Sequence, residues 1–204
     1  MKDVTLERIP QKRIRAFIKN NISSLEDLRP SHCKGDPIDN FLTHEEQFYL
    51  NYPMDMVWEY YLKTNPSKIW NGNFVSFGLM LSRQDNRIMY ADEPYVEAEV
   101  GQVYFMNLKI FKGLYQLAVS HEIIEINREK KSFDLSYIEG GKSIGFQRIA
   151  LHNNGANKTK IIHSSFYKSK SKFRDRFIYP YFHTKVLKEY HSNMVKHISN
   201  EIGK

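Results

Sequence analysis

From residue 73 to residue 168, hydrophobic and polar residues alternate along the chain, and short turn-forming segments interrupt the alternation at regular intervals. Alternation with a period of two places successive side chains on opposite faces of a strand, so this stretch predicts a β-sheet with one buried face. The separators include Lys112-Gly113 and Gly140-Gly141, which are too short for crossover connections, and neighbouring strands are therefore expected to be antiparallel. The predicted strands are 73–82, 101–110, 114–127, 132–139, 143–152 and 158–168.

Helical periodicity flanks this region. A strand predicted at 44–51 is followed by a helix at 54–62, because the apolar residues there recur on one helical face. A second short helix or turn is predicted at 67–70. Near the C-terminus, apolar residues of 173–202 step by three or four positions. Pro180 lies inside that pattern, and since proline suits a first helical turn, the long closing helix is expected to begin near it.

Two segments depart from these patterns. Residues 83–100 are rich in acidic side chains, contain Pro94 and are too long for a hairpin turn, so we expect a surface flap there. Residues 1–40 carry basic and scattered apolar positions, and helical spacing predicts a short helix at 10–20. We therefore expect an N-terminal extension at 1–40 and a single folded domain at 41–204.

The order of elements is a strand, two short helices, six strands and a long C-terminal helix. This order resembles the START/Bet v 1-like superfamily, also called the SRPBCC or helix-grip fold. Two segments support the resemblance locally. They are YPMDMVWEY at 52–60, which connects the first strand to the first helix, and the closing helix from Pro180. The resemblance covers residues 44–202 and does not extend to the first 40 residues.

The resemblance implies an α+β fold in which a seven-stranded antiparallel sheet wraps around the long C-terminal helix, with an apolar cavity between them. The superfamily includes lipid-transfer domains, polyketide cyclases and plant hormone receptors. It therefore implies a hydrophobic small molecule or lipid as the partner of this chain.

Alternation indicates which side chains face the implied cavity. On strand 158–168, the lysines at 158, 160 and 168 are expected to face water, which directs His163 inward. Strand 143–152 is ambiguous, because both of its faces mix apolar and polar residues. The candidate ligand-binding residues are Tyr104, Met106, Leu108, Tyr115, Leu117, His121, Tyr137, His163 and Tyr167 on the sheet, and Phe177, Tyr181, Leu187 and Tyr190 on the closing segment.

Each of these residues also has a purely structural interpretation. An inward-facing histidine such as His121 or His163 is more often a hydrogen-bonded core residue than a ligand contact. A buried tyrosine needs a polar partner, which either the protein or a ligand supplies. Phe177 and Tyr181 suit a cavity rim, and packing against the sheet explains them equally well.

The composition and the absence of certain motifs exclude several classes of function. The 204 residues include one cysteine, Cys33, which excludes an internal disulfide and a multi-cysteine metal site and favours a reducing compartment. The charged N-terminal residues do not resemble a secretory signal, and no apolar run is long enough to cross a bilayer, so a cytoplasmic location is expected. Nucleotide-binding, nucleophile-elbow and zinc-helix motifs do not occur. We therefore expect no metal and no cofactor, and assign no catalytic residue.

Three functions stay open from the sequence. The first, which we favour, is non-catalytic binding of a hydrophobic or amphipathic molecule in the cavity. The second is a cyclase- or hydrolase-like enzyme that uses His121, Tyr137, Glu139 or His163 for acid–base chemistry. The third is a basic surface module, because the net charge is +7 and lysines and arginines cluster among aromatics at 168–176. For that surface we expect peripheral membrane contact before nucleic-acid binding.

Overall fold

The computed structural model describes residues 4–203, which form one eight-stranded sheet and four α-helices. The helices are α1 (Lys12–Asn21), α2 (Met54–Lys63), α3 (Pro66–Ile69) and α4 (Tyr179–Ile202). The strands are β1 (Leu42–Leu50), β2 (Val75–Ser82), β3 (Ile88–Tyr90), β4 (Gln102–Ile110), β5 (Tyr115–Asn127), β6 (Ser132–Tyr137), β7 (Ile144–Asn153) and β8 (Thr159–Lys168). No helix within residues 4–203 is both long and apolar enough to cross a membrane.

The sheet is antiparallel throughout, with the strand order β1-β8-β7-β6-β5-β4-β2-β3. Register shifts in β2 and β5 mark β-bulges, which increase the local twist of a sheet and help it to curve. The long helix α4 lies on the inner face. Its residues Tyr190, Met194 and Ile198 join the main core with the inward side chains of the sheet and with α2 and α3. The predicted helix-grip arrangement, with the sheet wrapped around the closing helix, is therefore present.

The strand count differs from the prediction by one. The extra strand, β3, lies inside the segment predicted as a surface flap and pairs with β2 through Leu79 and Tyr90. A tight turn makes this pairing feasible, because Asn86 adopts a positive φ of 54°, which asparagine tolerates better than most residues. The prediction missed β3 because three residues are too few for a period of two to be recognised.

The closing helix begins as predicted. Pro180 occupies the first turn of α4, and a single π-helical turn at Arg174–Ile178 leads directly into it. The short N-terminal helix is also present, as α1.

Residues 4–40 form a layer against the outer face of the sheet. Ile9, Ile14 and Leu28 are fully or almost fully buried there and share a second core with outward side chains of β2 and β4, among them Val103 and Phe105. These two strands are therefore covered on both faces. Their central segments, 79–81 and 103–106, consist of consecutive hydrophobic residues for that reason, as in sheets that are buried on both sides.

A buried ion pair joins the N-terminal layer to the sheet. The guanidinium of Arg83 donates to both carboxylate oxygens of Glu122, at 2.8 and 2.9 Å, and to the backbone carbonyls of Leu25 and Leu28. The Glu122 side chain is only 8% exposed. Its charge is thus compensated within the protein, which is the condition under which a buried carboxylate is tolerated.

Gly78, at the bulge of β2, provides the space for α1. A Cβ at this position would lie 2.4 Å from Cδ1 of Ile14 and 3.2 Å from the carbonyl oxygen of Phe105. A side chain at residue 78 would therefore collide with Ile14 unless the Ile14 side chain or α1 itself moved.

This contact yields a double-mutant prediction. Gly78→Ala should lower the free energy of unfolding by about 1–3 kcal/mol through overpacking, and Ile14→Ala by about 2–5 kcal/mol through the cavity it leaves. The double variant should lose less than the sum, because the new methyl group fills space vacated by Ile14. Denaturant unfolding gives the free energy of unfolding of all three variants. Gly78→Ala combined with Ile18→Ala is the control and should be additive, because Ile18 is not among the nearest contacts of position 78; additivity in the Ile14 pair would refute the predicted collision.

Candidate functional site

A cavity of about 980 Å³ lies between the inner face of the sheet and the N-terminal half of α4. Strands β4 and β5 and the helix supply apolar walls. The apolar lining residues include Trp70, Phe74, Met106, Leu108, Ile110, Leu117, Val119, Ile178, Phe182, Val186 and Leu187. We call one end of the cavity the mouth. The turn at 111–114, the loop at 138–143 and the segment at 169–174 surround it at one end of the sheet.

The sheet itself is incomplete beside the mouth. Strand β5 continues beyond the end of β6, so that residues 115–119 pair only with β4. The cavity reaches this gap, since both Leu117 and its neighbour Ala118 line it although they lie on opposite faces of the strand.

The structure brings most of the predicted site residues together. Those lining the large cavity are Met106, Leu108, Tyr115, Leu117, His121, Tyr137 and Leu187. A second, much smaller cavity of about 40 Å³ lies deeper, and the predicted residues lining it are Tyr104, Met106, His121, His163 and Tyr190. His121 and Met106 line both spaces, as do Trp70 and Gln147.

Three predicted residues lie elsewhere. Tyr167 is buried in an aromatic cluster with Tyr137 and Tyr179, with its ring stacked 3.6 Å from that of Tyr179. Phe177 and Tyr181 are 59% and 56% exposed and line neither cavity. Helical spacing allows two apolar stripes in this aromatic-rich segment, and the stripe that faces the sheet begins with Tyr179 rather than with Phe177.

Sequence reasoning missed Gln147, which is a central residue of the site. Its strand β7 was ambiguous, but the structure places Gln147 inward and Arg148 outward, where Arg148 forms a bidentate pair with Asp134 at 2.6 and 2.7 Å. The charge of Arg148 was the available signal, because an outward arginine directs both of its neighbours inward.

Gln147 connects polar side chains from three strands. Its Oε1 lies 2.8 Å from Nε2 of His163, and its Nε2 lies 2.9 Å from Nε2 of His121 and 3.0 Å from the hydroxyl of Tyr137. The Tyr137 hydroxyl in turn forms a hydrogen bond with that of Tyr179. The amide thus uses its carbonyl and both of its N–H groups in buried hydrogen bonds.

The network continues into the packed half of the domain. Nδ1 of His163 lies 3.1 Å from Nε2 of His191 on α4, and Nδ1 of His191 lies 2.6 Å from the hydroxyl of Tyr61 on α2. An unbroken chain of hydrogen bonds therefore runs from α2 through α4 and β8 to the wall of the large cavity.

Burial makes these groups uncharged at neutral pH. Desolvation lowers the pKa of His121 and of His191 to about 3 and lowers the pKa of His163 well below its usual value. Desolvation likewise raises the pKa of Tyr137 to about 12 and that of Tyr61 well above its usual value. The wall therefore offers neutral hydrogen-bonding groups rather than charges.

The charged side chains that line the cavity are of one sign. The cationic residues that line the cavity are Lys109, Lys142, Lys168, Lys170 and Arg174, whereas no aspartate or glutamate of residues 4–203 lines it. Arg174 donates to the Ser143 hydroxyl and to Asp175, and the ammonium of Lys168 lies over the ring of Phe41. Within the described part of the chain, no three histidine, cysteine, aspartate or glutamate side chains are arranged to hold a metal ion.

The buried imidazoles predict marked acid sensitivity. An unfolded histidine titrates near pH 6.5, whereas His121 and His191 stay neutral in the folded state until about pH 3. Stability is therefore full above about pH 6.5 and falls as the pH drops below it, by about 1.4 kcal/mol per pH unit for each such histidine. Urea unfolding between about pH 7 and about pH 5 measures this slope with little interference from carboxylates.

The slope of the free energy of unfolding against pH counts the protons taken up on unfolding. His191→Gln should reduce this slope by the equivalent of about one proton, since glutamine does not titrate. His152→Gln is the matched control, because His152 is exposed on β7 and its loss should leave the slope unchanged. A free energy of unfolding that does not change over this pH range would contradict the neutral state of the buried imidazoles.

Comparison with known proteins agrees with this architecture. No protein-family model and no curated protein matches the chain. Norcoclaurine synthase from Thalictrum flavum is similar in structure, with a TM-score of 0.56 and 16% identity over 83% of this chain and 95% of that one. Major latex-like protein 151 from Panax ginseng has a TM-score of 0.55 and 15% identity, covering 76% of this chain and 96% of that one. Protein NE0264 from Nitrosomonas europaea has a TM-score of 0.55 and 11% identity, covering 81% and 99%. The chain therefore shares the fold of these proteins, in which an antiparallel sheet wraps around a long C-terminal helix, as the order of its elements predicts.

Proposed function

We propose that this domain binds a hydrophobic or amphipathic small molecule, such as a lipid, in the large cavity and does not transform it chemically. The observation that carries the proposal is the volume of about 980 Å³ enclosed by apolar walls. Ligand sites typically have volumes of about 300–1,000 Å³, apolar walls and a few polar groups that fix orientation. The cavity has all three properties.

The energetics of packing support this proposal. Protein interiors are packed about as densely as organic crystals, and unfilled apolar space costs stability because the lining atoms lose contacts. A ligand would restore those contacts. One neighbour of the same fold, norcoclaurine synthase, is known in complex with dopamine and hydroxybenzaldehyde, so that fold can hold small aromatic molecules.

A change in cavity volume tests the proposal. Leu117→Trp places a larger side chain into the cavity and should weaken binding of the fluorescent probe 1-anilinonaphthalene-8-sulfonate at least about tenfold, because it removes both volume and apolar contact area. Fluorescence titration gives the Kd.

Gln116→Trp is the matched control, because Gln116 is exposed and adjacent on the same strand but does not line the cavity. The probe Kd of this variant should match that of the unmodified protein. Equal affinities for all three proteins, or organic extracts of the purified protein that never contain a small molecule by mass spectrometry, would argue against the proposal.

The catalytic alternative receives less support from the site. His121 and Tyr137 do reach the cavity wall, but a general base works best when its pKa lies near the working pH. Burial lowers the pKa of His121 to about 3, which makes it a weak base at neutral pH. Glu139 is exposed and lines neither cavity. These groups suit hydrogen bonding to a bound molecule better than proton abstraction from it.

We also propose that the mouth contacts an anionic membrane surface. Large apolar side chains are exposed at this end of the sheet, including Leu114 at 92%, Phe111 at 60% and Phe173 at 66%. They lie among the lysines of the mouth, and a combination of apolar side chains with basic residues favours the surface of an anionic bilayer.

Sedimentation with lipid vesicles tests membrane contact. The protein should bind vesicles that contain phosphatidylserine more strongly than pure phosphatidylcholine vesicles, and the double change Leu114→Ser with Phe173→Ser should weaken binding about tenfold or more. Val96→Ser is the control, since Val96 is 68% exposed, similar to Phe173, but lies in the connection at the opposite end of the sheet. Equal binding by the double variant and the control would exclude the mouth as the membrane contact.

A further inference from the structure

Building on the proposed function, we infer that the large cavity selects ligands whose polar atoms accept hydrogen bonds, and that Nδ1–H of His121 donates to such an atom. The expected ligand class is an apolar molecule with a carbonyl or carboxylate oxygen. This inference follows from the direction of the hydrogen bonds around Gln147.

The first step is the orientation of the Gln147 amide. An amide nitrogen donates two hydrogens, and Nε2 of Gln147 has two neighbours within hydrogen-bond distance, Nε2 of His121 and the hydroxyl of Tyr137. The carbonyl oxygen accepts from Nε2 of His163. Every polar atom of the amide is satisfied in this orientation.

The second step follows the chain toward α2. A neutral imidazole has one N–H, so that His163, which donates through Nε2, accepts through Nδ1 from Nε2–H of His191. His191 then accepts through its own Nδ1 from the hydroxyl of Tyr61.

The opposite direction is less favourable. It would leave the hydroxyl hydrogen of Tyr61 and one amide hydrogen of Gln147 without an acceptor among the described residues. A buried donor without a partner costs about 1–3 kcal/mol. The observed distances therefore favour the direction that runs from Tyr61 to Gln147.

The third step concerns the free nitrogen of His121. Because Nε2 accepts from Gln147, the single hydrogen of the neutral ring resides on Nδ1. Nδ1 has no hydrogen-bond partner in residues 4–203. It is also absent from the set of fully buried polar atoms that lack a partner, so part of its surface is accessible. His121 lines both cavities, and in the proposed complex this N–H is directed toward a molecule bound in the large one.

The charged part of the lining has the same bias. Its ionic side chains are all cationic, so the charged groups that meet a ligand donate hydrogen bonds and none of them accepts. The hydroxyl of Tyr137 accepts from Gln147 and shares its remaining hydrogen bond with Tyr179. A ligand that carries only donor groups would therefore leave the His121 N–H unpaired.

Two naphthalene probes of similar size test the inference. 2-Acetylnaphthalene carries a carbonyl acceptor, and 2-ethylnaphthalene has no polar atom; displacement of 1-anilinonaphthalene-8-sulfonate gives the Kd of each. Because the two probes differ in hydrophobicity, the informative quantity is the ratio of their Kd values in each protein. His121→Leu should shift this ratio against the acetyl probe by about threefold to tenfold, the usual worth of one hydrogen bond. His152→Leu, the same change at an exposed histidine, should leave the ratio unchanged.

A second measurement needs no variant. The 15N chemical shifts of the His121 ring distinguish a protonated nitrogen from a bare one, and we expect the hydrogen on Nδ1. A hydrogen on Nε2, or a ratio that His121→Leu does not change, would overturn the inference while leaving cavity binding intact. Failure of both probes to displace the dye would instead contradict the proposed function itself.

Discussion

The position of α4 across the sheet is the constraint on which the cavity depends. The carboxylate of Glu189, near the middle of α4, accepts hydrogen bonds from the backbone N–H groups of Asn73, Phe74 and Val75 at 2.6, 2.9 and 3.1 Å. Gly72 permits this approach, because a Cβ there would lie 2.2 Å from the carboxyl carbon. The helix is thus fixed to the start of β2 at its midpoint, and the two halves on either side have different surroundings.

The C-terminal half of α4 shares its side of the sheet with α2 and α3, so Tyr190, Met194 and Ile198 pack into a filled core. The space between the N-terminal half and the sheet remains open as the large cavity. The histidine–glutamine network lies at the boundary. It is fully hydrogen-bonded on the packed side, and it ends on the cavity side at the free nitrogen of His121. A buried network that is satisfied in this way holds its members in one arrangement.

Sequence reasoning succeeded where one face of an element meets water. The lysines of β8 set the direction of every other residue on that strand, and His163 is inward as predicted. It failed where that contrast is missing. Val103 and Phe105 alternate with Tyr104 and Met106, all of them apolar, so the strand pattern could not reveal that an N-terminal layer covers its outer face.

The missed parts of the site have similar physical causes. Gln147 lies on a strand with mixed faces, and its importance comes from partners on three other elements, which no local pattern encodes. The phase of the closing helix was misjudged for Phe177 and Tyr181 because aromatic residues occupy more than one helical face, and a π-helical turn precedes α4 and changes the angular spacing. Tertiary packing decides between such stripes, and packing is a long-range property.

The outer layer also explains how the sheet tolerates a large internal space. Strand β4 contributes Met106 and Leu108 to the cavity wall, and its outward residues Val103 and Phe105 are completely buried beneath residues 4–40. Burial of apolar area stabilises the strand whichever face provides it. Phe17 of α1 packs against Phe105 and also reaches the cavity at the gap beside β5. The N-terminal layer thus supports the cavity wall from behind, and the packing it provides offsets part of the cost of leaving the inner side open.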